Sequence, residues 1–207
     1  MRHLLSIAAA LVLLPALAHA QDAAQVQKLF EAGKYKEVAD AAAPADAPRP
    51  VIFLAAQGLE KLRDRNAARA IYKRLVDLPE TDPWHFIGAS ASQLMDGDIS
   101  NERDWRAAHA RVKEWAEQAA KMAPDLLWAQ YQLGLAYLSI DSHDDAVAAF
   151  DRIVKMDPAF AYAYYYGGLG TYLSQHPDRL GDRFERFLKL APDAPERPEV
   201  LRMMKPR

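Results

Sequence analysis

The chain has 207 residues, of which 51% are hydrophobic and 26% charged, with a formal net charge of −2 and no cysteine. That composition excludes a disordered chain and a disulfide scaffold. Near-neutral charge without a basic stripe argues against a nucleic-acid partner, and the length suits one domain or a short repeat array.

The chain opens with Arg2 and His3, followed by an apolar run from Leu4 to Leu17 that contains Ser6 and is interrupted by Pro15. Ala18-His19-Ala20 places small residues where a signal peptidase reads, so residues 1–20 are expected to be a signal peptide cut after Ala20. The run is shorter than the roughly 20 residues of a spanning helix. The mature chain is therefore expected to be periplasmic or secreted, with no membrane span. Cleavage removes Arg2 and no acid, taking the net charge from −2 to −3.

Residues 22–43 predict a short helix hairpin turning at Ala32-Gly33-Lys34-Tyr35, and the Pro-rich stretch Pro44–Pro50 reads as a loop. Residues 51–79 hold Gly58, Ala68, Tyr72 and Leu75 of a second hairpin. Residues 83–124 form a longer unit with Gly88 on its first helix, its excess lying around Asp96–Arg103. Trp84, Trp105 and Trp115 are expected to form its core. Units at 127–158 and 161–192 follow. Residues 193–207 read as a cap, or as a tail whose Val200, Leu201, Met203 and Met204 await a partner.

The last units repeat at a fixed offset. Pro124, Pro158 and Pro192 are 34 residues apart, as are Lys121, Lys155 and Lys189, Gly134 and Gly168, and Phe150 and Phe184. Glycine costs about 1 kcal/mol in a helix interior, so Gly134 and Gly168 predict close helix contacts, with Phe150 and Phe184 filling the space opposite. Each proline ends a second helix, because it cannot continue the i→i−4 ladder. A hairpin of this kind cannot bury its apolar face alone and has to stack on neighbours.

Leu133-Gly134, Tyr137, Ala146, Phe150, Ile153 and Pro158 resemble the tetratricopeptide-repeat (TPR) family's pattern, with Ile153 in place of the usual Ala. Gly167-Gly168, Thr171, Leu180, Phe184, Phe187 and Pro192 resemble it more loosely. The resemblance covers most of residues 22–192. It implies an all-α, right-handed superhelical solenoid of antiparallel hairpins whose first helices line a concave face. It also implies a non-catalytic protein-binding scaffold. The groove-facing places map to Trp128, Tyr131, Leu135 and Leu138 and, one repeat later, to Tyr162, Tyr165, Leu169 and Tyr172. Each set is spaced i, i+3, i+7, i+10, a single helical stripe. Tyr164, in the place of the family's Trp-like residue, is expected in the core. The Lys and Asn of the chaperone-type carboxylate clamp are absent, since Tyr131, Leu135, Tyr165 and Leu169 hold those places. An apolar or aromatic-containing segment of a protein partner is the implied ligand, unless the chain's own C-terminal segment or a second copy covers the stripe.

No chemistry-bearing pattern competes. The histidines His85, His109, His143 and His176 make no His-Glu-x-x-His pair. Asp141-Ser142-His143-Asp144-Asp145 lacks the calcium-loop spacing and reads as a solvated turn capping the next helix. Gly167-Gly168-Leu169-Gly170 lies inside a helix, where close packing rather than a phosphate cradle explains it. Glu114, Glu117 and Lys121 read as surface pairs. No enzyme, cofactor or metal is expected. The function anticipated is an envelope scaffold or adaptor, or else a chaperone-like assembly subunit of a periplasmic enzyme complex acting in trans.

Overall fold

The computed structural model describes residues 23–96, 101–174 and 180–205; residues 1–20, expected to be a signal peptide, lie outside them. Among these residues the structure is helical. α1 covers 23–31, followed by α2 (Tyr35–Asp40), α3 (Arg49–Lys61), α4 (Arg65–Val76), α5 (Pro83–Met95) and α6 (Glu102–Met122). Then come α7 (Leu127–Ser139), α8 (His143–Met156), α9 (Ala161–Leu173), α10 (Leu180–Leu190) and α11 (Arg197–Met203). From α2 to α10 each helix packs on the next, and α3, α5, α7 and α9 also pack in file. This is the layout of a helical solenoid whose first helices form an inner row.

Local chemistry sets the hairpins. Three of the turns use a left-handed residue just past the first helix, Gly33 (φ 72°), Arg63 (φ 63°) and Asp141 (φ 60°). Each is followed by an N–H that reaches back five residues: Lys34 to the Leu29 carbonyl, Asp64 to Leu59 and Ser142 to Tyr137. These are Schellman closures, which satisfy the orphan carbonyls of the helix end. Pro124, Pro158 and Pro192 each stand two residues beyond a second helix, after Met122, Met156 and Leu190. Asp64 caps α4 through Ala67 N–H, Asp82 caps α5 through Trp84 N–H, and Asn101 caps α6 through Asp104 N–H. The loop over Pro44–Pro48 is pinned by the Arg74 guanidinium, which donates to the carbonyls of Ala42, Pro44 and Ala45.

Gly134 and Gly168 admit close ring contact. A Cβ on Gly134 would stand 2.5 Å from Phe150, and one on Gly168 2.5 Å from Phe184. Phe150, Phe184 and Phe187 are fully buried. α9 runs unbroken through Gly167, Gly168 and Gly170, and a Cβ at Gly167 or Gly170 would meet Arg183 or Val147. That run is packing, and no phosphate could approach it.

Four details depart from the expectations drawn from sequence. α6 has 21 residues against 13 in α5, so much of the third unit's excess lies in helix as well as in the connection. Its first turns outrun their neighbour, and Trp105 is left half-buried, stacked on His109 with ring centroids 4.1 Å apart. Trp115 is half-buried too, because it flanks the buried row Val112, Ala116 and Ala119; of the three tryptophans only Trp84 is core. Ser142 stands at the N-cap of α8 but its hydroxyl caps nothing. Glu117 pairs with Lys113 at 3.6 Å and accepts from the Tyr137 hydroxyl, so the turn spacing chose Lys113 over Lys121.

Candidate functional site

The aromatic stripe is present on the inner row, but it is not an open groove. Trp128, Tyr131, Tyr162 and Tyr165 are buried at 8%, 2%, 1% and 7% exposure, while Leu135, Leu138, Leu169 and Tyr172 are half-buried. Tyr164, expected in the core, is instead half-buried, with the Arg186 guanidinium 5.9 Å above its ring. Of the groove-facing tyrosines, Tyr131, Tyr162 and Tyr165 are thus covered, the alternative left open from the sequence, while Tyr164 does not take the core place expected of it.

The reason is closure from both ends of the chain. Phe53 on α3 packs on Trp84, Trp128 and Tyr131, with centroids 6.3, 5.4 and 6.2 Å apart, so the second, third and fourth hairpins share one aromatic cluster. Phe30 of α1 meets Tyr162 of α9 edge-on at 5.4 Å. Phe160, at the N-cap of α9, has no side chain to offer its helix. Glu31 of the first hairpin lies beside the Ala161 N–H at that helix start, which favours its ionised form. A carboxylate at a helix N-terminus is favourable, although burial raises the Glu31 pKa.

The C-terminal segment locks this contact. Glu196 accepts from Lys61 Nζ at 2.8 Å and from the Tyr162 hydroxyl at 2.9 Å, joining α3 to α9. Pro195 fills the space above Gly33, 2.6 Å from where a Cβ would stand. Val200 of α11 is fully buried and packed into the main core. Burial, then the negative charge of Glu196, push the Tyr162 pKa far up, so that hydroxyl stays a donor.

Beside the stripe lies a cavity of about 330 Å³, lined by residues of α1, α3, α4, α5, α7 and α9. Its polar wall carries Gln57, Glu60, Lys61 and Gln132. The Tyr72 hydroxyl donates to Glu60. Burial pushes the Glu60 carboxyl up to about 7, while that hydrogen bond and the charges of Lys61 and Arg65 pull it down. None of these four wall residues stands out in the sequence. Gln132 is visible there as a polar residue in the apolar α7, yet counting periods gives no reason to single it out.

The raised Glu60 pKa makes a stability prediction. Between pH 4.5 and about 7 the folded chain holds a proton that the unfolded chain has lost, so this group's contribution falls as pH rises through that window. Glu60→Gln, which keeps an acceptor for Tyr72, should stabilise the protein by about 1–2 kcal/mol at pH 8, allowing for solvent screening of a half-buried group. The gain should shrink steadily toward pH 5. Urea unfolding at pH 5, 6.5 and 8 checks this; a gain that does not vary with pH contradicts it.

Among the described residues, no group of three or more His, Cys, Asp or Glu could hold a metal ion. Nor is any helix among them long and apolar enough to cross a membrane.

Comparison with known proteins bears on the fold. Residues 129–160 match the tetratricopeptide repeat family model. The structure is similar to that of TTC0263, a thermophilic TPR protein of Thermus thermophilus, at a TM-score of 0.62 and 14% identity, covering 76% of this chain and 81% of that one. It also matches the crystal structure of MamA, with a TM-score of 0.48 and 21% identity over 75% of this chain and 84% of that one. No curated protein matches the sequence. At such identities the likeness is one of fold.

Proposed function

We propose, from the premise that this chain is a tetratricopeptide-repeat protein, that it is a non-catalytic scaffold of the cell envelope which holds a short segment of a protein partner on its inner row. The fold is that of a protein-interaction scaffold, and a helix hairpin array offers rigid side-chain stripes rather than a reacting centre. The envelope assignment rests on the signal-type N-terminus. The stripe of Trp128, Tyr131, Tyr162 and Tyr165, flanked by the half-buried Leu135, Leu138, Leu169 and Tyr172, is the binding face.

One observation carries this reading. A helical segment already sits at the stripe: α11, with Val200 buried and Glu196 bonded to both Lys61 and Tyr162. The inner row therefore accommodates a short helix bearing one acidic and one apolar anchor, the helix-in-groove mode of peptide recognition. A partner of this kind displaces α11 and takes over its contacts. Aromatic side chains give such an exchange large buried area at low entropy cost.

The test uses the chain's own segment as the model ligand. A Glu196→Ala/Val200→Asp protein, its own α11 weakened, should bind a synthetic peptide of residues 193–207 added in trans. The unaltered protein should bind it at least 10-fold more weakly, because its site is filled. Absence of binding by the doubly substituted protein would count against a displaceable helix site. Lys61→Ala in the same background should weaken capture, since it removes the partner of Glu196.

A further inference from the structure

Off the aromatic stripe, where a second helix ends and the next hairpin begins, lies an open cleft of about 590 Å³. It is bounded by Lys121 at the end of α6, Pro124 and Asp125 in the connection, and Arg152, Lys155 and Met156 of α8. Three cations thus line it with one acid. Lys121, Arg152 and Lys155 are exposed, and so is Met156, at 40%. The neighbouring acids are engaged elsewhere: Glu117 with Lys113, Asp151 with Arg183, and Asp157 Oδ1 with the Ala159 N–H. Neither lysine has an ion-pair partner among the described residues.

The arginine is seated. Arg152 Nη1 donates to Gln130 Oε1 at 3.3 Å, and the buried Gln130 is anchored through Nε2 to the Pro124 carbonyl at 3.0 Å. That leaves most of the guanidinium's donors unspent. The construction recurs one repeat later with different side chains. Tyr164 stands 34 residues after Gln130 (164 − 130), and its hydroxyl donates to the Pro158 carbonyl at 3.1 Å. Arg186 stands 34 residues after Arg152 (186 − 152), with its guanidinium 5.9 Å above the Tyr164 ring. Lys155 and Lys189 then hold the places of Lys121 and Lys155, so Lys155 belongs to both sets. The helix dipole accounts for a lysine in the last turn of α6, α8 and α10. It does not call for an arginine seated on the next hairpin in two successive repeats.

A guanidinium flanked by ammonium groups selects an oxyanion. Asp125, the apolar Pro124 and Met156, and the chain's net charge of −2 disfavour a dense phosphate or sulfate polymer. They suit carboxylates spaced along a chain, with an apolar residue between. We propose that this edge binds an extended acidic segment of a protein partner. Its carboxylates meet Arg152 and Arg186, with Lys121, Lys155 and Lys189 around them, and an apolar side chain rests on Met156. The site is separate from the inner row and does not depend on the partner reading given above.

Fluorescence anisotropy of the full chain with a labelled peptide of Glu-Glu-Leu-Gly repeats tests this. The peptide should bind, and its counterpart with Gln for Glu should bind at least about 10-fold more weakly. Affinity should fall as salt rises from about 50 to about 300 mM. Lys155→Glu, at the residue common to both sets, should weaken binding about 10-fold, and Arg152→Ala several-fold. Lys36→Glu, exposed on α2, makes the same change in net charge and should leave binding unaltered. All three positions are exposed, so the variants should stay folded; the Gln peptide needs no variant at all. Equal binding of the Gln peptide, an equal loss from Lys36→Glu, or no binding at millimolar peptide in low salt overturns the proposal. Heparin binding through Lys155 without any capture of the peptide would mark a polyanion site and overturns it too.

Discussion

Gly134→Ala is expected to destabilise the protein by about 1–3 kcal/mol, although the same change in an open helix gains about 1 kcal/mol. The new Cβ would stand 2.5, 2.7 and 2.9 Å from three atoms of the Phe150 ring. The ring cannot retreat, because Phe150 is fully buried, edge-on to Tyr131 at 6.2 Å and stacked on Tyr166 at 5.7 Å. Phe150→Ala alone should cost about 3–5 kcal/mol, as a large cavity opens between the helices. The two sites are coupled, so the informative result is their combination. In a Phe150→Leu background the clash is relieved, and Gly134→Ala should become neutral or stabilising. Urea unfolding of the four chains gives the coupling energy. Additive costs would show that glycine is needed there for some reason other than the ring.

Val200→Asp should release α11 from the body of the protein while leaving the hairpins folded. Val200 is fully buried, and an aspartate there would be a charge out of water beside Glu196 and Glu199. Detachment limits the damage, so a loss of about 2–4 kcal/mol is expected rather than unfolding. Release also removes the Glu196 bonds to Lys61 and Tyr162 and uncovers Tyr162 and Tyr165. Hydrogen exchange should therefore lose protection over residues 194–204 and across α1, with α7 and α8 still protected, and an apolar dye should bind. Uniform loss of protection along the chain would show that the segment is an integral part of the core instead of a strap across it.

Contacts local to one hairpin are legible in the amino-acid sequence. Gly134 and Phe150 lie 16 positions apart (150 − 134) in a unit whose register recurs, and period counting finds such pairs. The turn at Gly33 and the helix stops before Pro124, Pro158 and Pro192 follow from backbone chemistry alone. Closure is not legible there. The Lys61–Glu196 pair spans 135 residues, and the Glu31 contact with Ala161 joins the first hairpin to the last. No periodicity encodes either contact. Trp128, Tyr131, Tyr162 and Tyr165 fall on one stripe by their spacing. Their burial comes partly from their own hairpins, through Phe150 against Tyr131 and Phe187 against Tyr162 and Tyr165, and partly from Phe30, Phe53 and the C-terminal segment. Tyr164 shows the converse: its family place suggests core, but it sits where Arg186 and water reach it. Gln57 and Gln132 do not stand out because a buried amide reads as neutral polarity in a sequence.

The central claim is that the first hairpin, α9 and the C-terminal segment meet and shut the aromatic face. The chain has no cysteine, so a Lys61→Cys/Glu196→Cys pair can be joined by a short bismaleimide without background reaction. The closed structure predicts rapid cross-linking within one chain, abolished by Val200→Asp, with helical content unchanged throughout. A folded protein in which these two positions fail to cross-link, or do so only between chains, would contradict it.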